Sequence, residues 1–312
     1  MPLKLLYKPT NSQFSILNSQ FIKRLALDVG FHACGIAEAT PLSDEELGFR
    51  RWLSDGDQAD MHYMEEHVDM RHDPSLLVPG ARSVVSLLLG YKPSRMMQGN
   101  HRIAMYAYGE DYHTRIKQML FQLIAAIQKE YPDFTAKPCV DTVPIADKHW
   151  AVRAGLGWIG HNTLFVSPQL GSLCNIAELV TPSACDSYDH PIENRCGDCR
   201  RCIDACLNRA LHAEGDGFRL DARRCTAYHT VENRDEQLPA TLRRNGYAFG
   251  CDCCQLACPY NEQAPVSIEI SDEQMDALQH LAEADEATFR QFSRPRALSR
   301  ITYAQWRRNI DS

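Results

Sequence analysis

The chain has 312 residues, 44% of them hydrophobic, with 40 acidic against 33 basic side chains and a formal net charge of −7. That length holds about two domains whose cores need no disulfide staples, and the acidic balance argues globally against a nucleic-acid partner. No apolar run approaches the ~18 residues of a membrane span, and residues 1–30 lack the apolar core and cleavage site of a secretory leader, so a cytoplasmic protein with no membrane partner is expected.

In chain order, residues 15–29 read as an amphipathic helix, with Ile16, Phe21, Ile22, Leu25 and Leu27 near helical spacing. Residues 81–89 (ARSVVSLLL), bounded by Pro79-Gly80 and Gly90, read as a buried strand. A long helix is predicted over 112–129, striped by Ile116, Met119, Leu120, Leu123, Ile124 and Ile127. Residues 134–140 form a second strand candidate, and a helix is predicted between Pro144 and Ala154. Strands follow at 163–167 and 173–181. Mixed strands and helices over 1–185 imply an α/β domain. Residues 186–265 leave little room for regular structure, and 266–312 read as a basic helical tail.

The cysteines carry the strongest local signal. Cys196, Cys199, Cys202 and Cys206 run as C-x2-C-x2-C-x3-C, Cys225 follows alone, and Cys251, Cys254 and Cys258 close the set as C-x2-C-x3-C-P. In two-cluster ferredoxins the fourth cysteine of a run ligates the other cluster. Cys196, Cys199, Cys202 and Cys258 are therefore assigned to one [4Fe–4S] cluster, and Cys206, Cys225, Cys251 and Cys254 to a second. Two such clusters form a wire for single electrons. Zinc is the competing reading of C-x2-C pairs, but zinc sites pair two knuckles of two cysteines, and this run has the tighter spacing of a cubane. Cys34, Cys139, Cys174, Cys185 and Cys253 remain as free thiols.

Arginines crowd the same region: Arg200, Arg201, Arg209, Arg223, Arg224, Arg243 and Arg244, then Arg290, Arg294, Arg296, Arg300, Arg307 and Arg308 in the tail. They can build a basic face on an acidic protein or offset the negative clusters. Two other motifs mislead. Gly155–Gly160 satisfies G-x-G-x-x-G, but a dinucleotide site needs a strand before it and a helix after it, and here the order is reversed. Asp147-Lys148-His149 begins like the D-x-H-x-x-G loop of some cobalamin proteins, but Val152 stands where the glycine is required.

From about Phe21 to Asn309 the chain resembles the epoxyqueuosine reductases. The carriers are MHYMEEHVDMRHDPSLLVPGARSVVSLLLGY (61–91), YAYGEDYH (106–113), CVDTVPIADKHWAVRAGLGWIGHNTLFV (139–166), GSLCNIAELVT (171–181), LDARRCTAYHTVE (220–232) and GCDCCQLACPYN (250–261). The resemblance implies an α+β protein, with a reductive-dehalogenase-like cobalamin domain, a ferredoxin-like domain holding two [4Fe–4S] clusters, and a short helical tail. It implies reduction of epoxyqueuosine to queuosine at the tRNA wobble position, the last step of queuosine biosynthesis. The cofactor would be base-off cobalamin, fed by the clusters and by an external donor such as flavodoxin or ferredoxin, in a monomer.

By family position the proton donor falls on Asp141. The residues alone fit a turn before Pro144 equally well. Enclosed by corrin and apolar walls, this carboxyl is expected to sit above the ordinary range and to donate near neutral pH. The resemblance assigns cobalamin contacts to Tyr106, Asp141, Gly157, His161, Asn162, Thr163, Phe165, Gly171, Ser172 and Thr226. Arg223, Arg224, Arg300, Arg307 and Arg308 are the candidate contacts to the anticodon stem-loop. Three departures stand out. Leu207 replaces the usual proline after the fourth cysteine, Arg209 stands near the usual glycine, and His161 replaces the usual lysine of GWIGKNT. Many members carry a helical-repeat domain beyond Ser312, so here the arginine tail is expected to grip tRNA alone. The rival readings are a cobalamin-dependent small-molecule reductase of dehalogenase type and a non-catalytic iron–sulfur electron carrier.

Overall fold

Ser83–Gly90 is buried along its whole length, which explains an apolar run with no polar alternation: it has no solvent face. The computed structural model describes residues 16–215 and 217–312; the part of the 1–185 expectation that falls on residues 1–15 lies outside them. Ser83–Gly90 pairs antiparallel with Ala33–Glu38 on one side and Cys174–Thr181 on the other, and Lys137–Cys139 closes the far edge. On one face Val85, Leu87 and Leu89 meet the helices Ser19–Val29 and Tyr112–Gln128 through Ile22, Ile116, Leu120 and Leu123. On the other, Val84 and Val180 pack under Trp150 and Ala154, from the helix Asp147–Arg153 and its end. Two helical layers thus clamp one sheet.

The strand Ala33–Glu38 escapes sequence patterning because its residues are small. Gly35 explains the choice: a Cβ there would collide with the Ala154 carbonyl, so only glycine lets the Asp147–Arg153 helix end lie against the sheet. The Gly155–Gly160 segment runs from that helix into the hairpin Trp158–Ile159/Phe165–Val166, the reverse of a dinucleotide-binding turn.

Residues 186–265 hold only short elements, the hairpin Leu211–Glu214/Gly217–Leu220 among them. The tail contributes the helices Asp272–Gln279, Glu286–Ser293 and Tyr303–Asp311. Capping boxes at Ser271/Gln274 and Thr302/Gln305 start the first and last of these. Met275, Leu278, Phe289, Leu298 and Trp306 share one core with Ile103, Met105, Tyr108 and Phe249. The tail is thereby welded to residues 103–108 and to Phe249. No described helix is long and apolar enough to cross a membrane.

One side chain fastens that weld. Asn309 is fully buried and donates from Nδ2 to the carbonyls of Thr230 and Ala248, 2.8 Å each. Asn309→Ala would leave two buried acceptors unmatched, and the unfolding free energy should fall by about 2 kcal/mol, read as a lower denaturant midpoint with unchanged slope.

Candidate functional site

Asp141 follows the edge strand Lys137–Cys139 and adopts a left-handed backbone, φ +45°. Aspartate tolerates that region better than most residues, although at some cost. Its Oδ2 accepts a hydrogen bond from the Tyr112 hydroxyl (2.8 Å) and lies 2.9 Å from His113 Nε2. Both partners open the Tyr112–Gln128 helix. Asp111 caps that helix, accepting from the His113 backbone N–H at 3.0 Å, and the same oxygen lies 2.7 Å from His113 Nδ1. The imidazole thus bridges two carboxylates, an arrangement suited to a doubly donating imidazolium.

The electrostatics reverse one sequence expectation. The His113 hydrogen bond, aided by Tyr112 and acting against burial, holds the Asp141 carboxyl below the ordinary carboxylate range rather than above it. The hydrogen bond to Asp141, then that to Asp111, raises the His113 pKa. Burial and the neighbouring Asp141 charge push the Tyr112 phenol far up, so it stays a donor. Both shifts favour a protonated imidazole beside an ionised carboxylate. His113 was visible in YAYGEDYH, but its partnership with Asp141 spans 28 residues and no local pattern announces it.

Two cavities meet at this carboxylate. An outer one of about 690 Å³ carries Tyr63, Arg71, His113, Glu232 and Arg300. An inner one of about 410 Å³ carries Asn162, Thr163, Phe165, Ser172, Thr226 and Gln255. Tyr106, Tyr112, Asp141 and Asp147 line both. The inner wall combines apolar Leu164, Phe165 and Ile176 with amide and hydroxyl groups. Gln255 and Asn261 fix Ser172: Gln255 Nε2 donates to the Ser172 carbonyl at 2.9 Å, and Asn261 Oδ1 accepts the Ser172 N–H at 2.7 Å.

Of the residues assigned to cobalamin, Gly157, His161 and Gly171 fall outside the inner lining. A Cβ on Gly157 would strike Val166 and Phe165 across the hairpin, and one on Gly171, at φ +58°, would strike Asn261. Both glycines serve close packing. His161 Nδ1 lies 2.8 Å from the Cys199 carbonyl and its ring packs 4.5 Å from Phe218, which places it beside the cysteines.

The inner cavity is also lined by Cys206, Cys225, Cys251 and Cys254, with Cys253 next to them. Cys196, Cys199, Cys202 and Cys258 line a separate cavity of about 420 Å³ with His161, Arg195 and Tyr260. All thirteen cysteines are free thiols. Among the described residues no three ligand side chains converge tightly enough to hold a single ion. Each set of four instead surrounds a space, as a multi-atom cluster requires. Hydrogen bonds already reach the sulfurs: Trp158 Nε1 donates to Cys196 Sγ at 3.3 Å and the Ala210 N–H to Cys206 Sγ at 3.2 Å. Arg209 adopts φ +52°, so the turn after Cys206 keeps a left-handed residue at the departure from glycine.

The arginines divide. Arg308 donates to the carbonyls of His229, Asn233 and Asp235, and Arg307 to Ala282 O and Asp311. Arg308 thereby ties the tail to the segment after Cys225, while the bonds of Arg307 stay within the tail. Arg223 pairs with Asp57 (2.6 Å) and Asp221 (2.7 Å). With Arg224, Arg209 and Arg243 it lines a basic cavity of about 400 Å³. Arg300, clasped by Glu232 at 2.8 Å, stands at the outer cavity.

Comparison with known proteins agrees with this geometry. Residues 71–142 match the family described as epoxyqueuosine reductase QueG, DUF1730, and residues 195–261 the 4Fe-4S double cluster binding domain. The epoxyqueuosine reductase of Cellulophaga algicola is 37% identical over 302 residues, covering 94% of this chain and 97% of that one. That of Leadbetterella byssophila is 38% identical over 298 residues, with the same coverage, 94% and 97%. The solved epoxyqueuosine reductase of Streptococcus thermophilus superposes with a TM-score of 0.81 at 27% identity, over 94% of this chain and 80% of its own. An epoxyqueuosine reductase solved with an epoxyqueuosine-modified tRNA-Tyr stem loop gives 0.78 at 27%, over 93% and 79%. The Bacillus subtilis structure, with its catalytic aspartate loop swung out of the active site, gives 0.80 at 26%, also over 93% and 79%. The chain belongs to the epoxyqueuosine reductase family.

Proposed function

We propose that this chain reduces epoxyqueuosine to queuosine in the anticodon loop of tRNA, with Asp141 at the reacting centre. The observation that carries the reading is the position of Asp141. It lies on the wall shared by an outer cavity of about 690 Å³ and an inner cavity lined by six cysteines, Cys206, Cys225, Cys251 and Cys254 among them.

Converting an epoxide to an alkene consumes two electrons and two protons and releases water. The residues of the inner cavity fit a corrin: apolar Leu164, Phe165 and Ile176 offer a floor, and Asn162, Thr163, Ser172 and Thr226 offer partners for its amide arms. These residues and Tyr106 would hold base-off cobalamin. When bound and reduced, that cofactor supplies a strong nucleophile and electron donor at the substrate carbon. Cys206, Cys225, Cys251 and Cys254 would hold the cluster beside it. Cys196, Cys199, Cys202 and Cys258, in a loop with exposed Arg195, Gly197, Asp198 and Arg200, would hold the cluster where an external donor such as flavodoxin or ferredoxin delivers electrons.

The chain's own chemistry is the proton. His113 holds it between Asp111 and Asp141. Transfer from Nε2 to Oδ2 makes Asp141 the acid that gives the departing oxygen one of its two protons, the second being drawn from solvent, and His113 keeps its Nδ1 proton on Asp111. Tyr112 steadies the carboxyl throughout. Among the basic residues, Arg300 lines the outer cavity and Arg223 and Arg224 the basic cavity, each with one guanidinium edge committed to a protein partner, and these are the candidates to meet phosphate.

Three outcomes are expected. Asp141→Asn should lower single-turnover conversion of an epoxyqueuosine stem-loop by about 100-fold or more; undiminished conversion would remove Asp141 from its role. Because His113 is raised above its ordinary 6.5, its proton is kept to higher pH than a free imidazole's and is lost as pH rises through the elevated value. Conversion should therefore fall on that alkaline limb. Asp111→Asn still caps the helix but withdraws one carboxylate, so the limb should move to lower pH. Cys225→Ala should cut iron and acid-labile sulfide to about half by removing one of two clusters; a full complement would sink the ligand assignment.

A further inference from the structure

The outer cavity has a feature that proton donation does not use. Tyr63 sits on the single turn His62–Met64 and stays 43% exposed, with its ring beside the Asp141 cavity. Its backbone is tied down. Arg71 donates from Nη2 to the Tyr63 carbonyl at 3.2 Å and from Nε to the Glu66 carbonyl at 3.3 Å. The turn then reverses through His67 in the left-handed region, φ +55°. An anchored backbone under an uncovered aromatic ring is a preformed platform.

Its partner across the cavity is Arg300, whose guanidinium centre lies 5.7 Å from the Tyr63 ring centroid. Glu232 grips that guanidinium twice, Nε–Oε1 at 3.1 Å and Nη2–Oε2 at 2.8 Å, which fixes its plane. A base slotted between ring and guanidinium would need about twice the ~3.4 Å repeat of a nucleic-acid strand. The 5.7 Å gap is too narrow for that. A base can therefore stack only on the face of Tyr63 opposite Arg300, with the guanidinium fixed on the other side of the ring.

We propose that Tyr63 and Arg300 form a nucleobase subsite: Tyr63 stacks the base of the modified nucleotide while Arg300 holds its flanking phosphate. The proposal rests on the functional reading above and adds to it the residues that hold the base. Single-stranded RNA loops are read in this way, by bases splayed onto aromatic rings with cations on the backbone. Of the charged groups that line the cavity, Arg300 is placed to meet phosphate and Arg71 holds the turn; Glu232 pairs with Arg300 and Asp141 with His113, and Glu66, Asp111 and Asp147 are the remaining carboxyl groups. Tyr63 would be a binding residue, so its loss should appear in substrate affinity and not in the chemical step.

The test uses the holoenzyme, Tyr63→Ala and Tyr63→Phe, and a fluorescently labelled anticodon stem-loop carrying epoxyqueuosine. Tyr63→Ala should weaken binding and raise KM by about 5- to 150-fold, with kcat within about twofold of wild type. Tyr63→Phe keeps the ring and should bind like wild type. Equal iron content in both variants checks that the fold is intact. Unchanged binding by Tyr63→Ala, or Tyr63→Phe as weak as Tyr63→Ala, would overturn the subsite. Wild-type enzyme that fails to convert the stem-loop would instead overturn the functional reading itself.

Discussion

The structure turns on one hydrogen-bonded string, Asp111–His113–Asp141, that joins a helix start to the end of an edge strand. Each member needs the others. Asp141 sits in a left-handed conformation, which persists only when its surroundings determine it. Tyr112 and His113 supply those surroundings from the first turn of a helix whose stripe is locked into the sheet by Ile116, Leu120 and Leu123. The sheet thus fixes the helix, the helix fixes the imidazole, and the imidazole fixes both the aim and the charge of the carboxylate.

That dependence also explains the chain's long-range stitching. The tail helices touch no cofactor cavity except through the turn at Ala297–Arg300, yet they share a core with Met105 and Tyr108, beside Tyr106. Arg308 and Asn309 bind carbonyls of the segment after Cys225. The cluster segment, poor in regular structure, borrows rigidity from the tail by hydrogen bonding, as its thiols must hold their spacing whether or not a cluster is present.

The parts written in local spacing were legible from sequence. The cysteine pattern predicts two sets of four, and the structure groups Cys196, Cys199, Cys202 and Cys258 around one space and Cys206, Cys225, Cys251 and Cys254 around another. The apolar runs at 81–89 and 173–181 appear as strands because burial on both faces leaves a continuous hydrophobic signature. Ala33–Glu38 was not legible, since its small residues answer to the Ala154 backbone and not to any periodicity. The charge of Asp141 was illegible for a related reason. Enclosure by corrin and apolar walls would raise its pKa, while the groups that lower it lie on another element. Arg308 shows the same limit: composition counts a positive charge, but only packing reveals that three carbonyls already hold it.

The arrangement separates the two commodities of the reaction. The inner cavity touches cysteines of one set and neither His113 nor Asp111; the outer cavity touches both of those and no cysteine. Electrons would arrive through thiolate-bound iron on one side and the proton through an imidazole on the other. Only the shared wall, with Tyr106, Tyr112, Asp141 and Asp147, borders both. A low-potential donor that met an acidic proton directly could reduce it and waste the electrons. A proton kept on His113, with Asp141 ionised until a substrate oxygen took charge, would withhold the acid from the reducing side. The depressed carboxylate, which at first looks wrong for a proton donor, is on this argument what keeps the donor selective for its substrate.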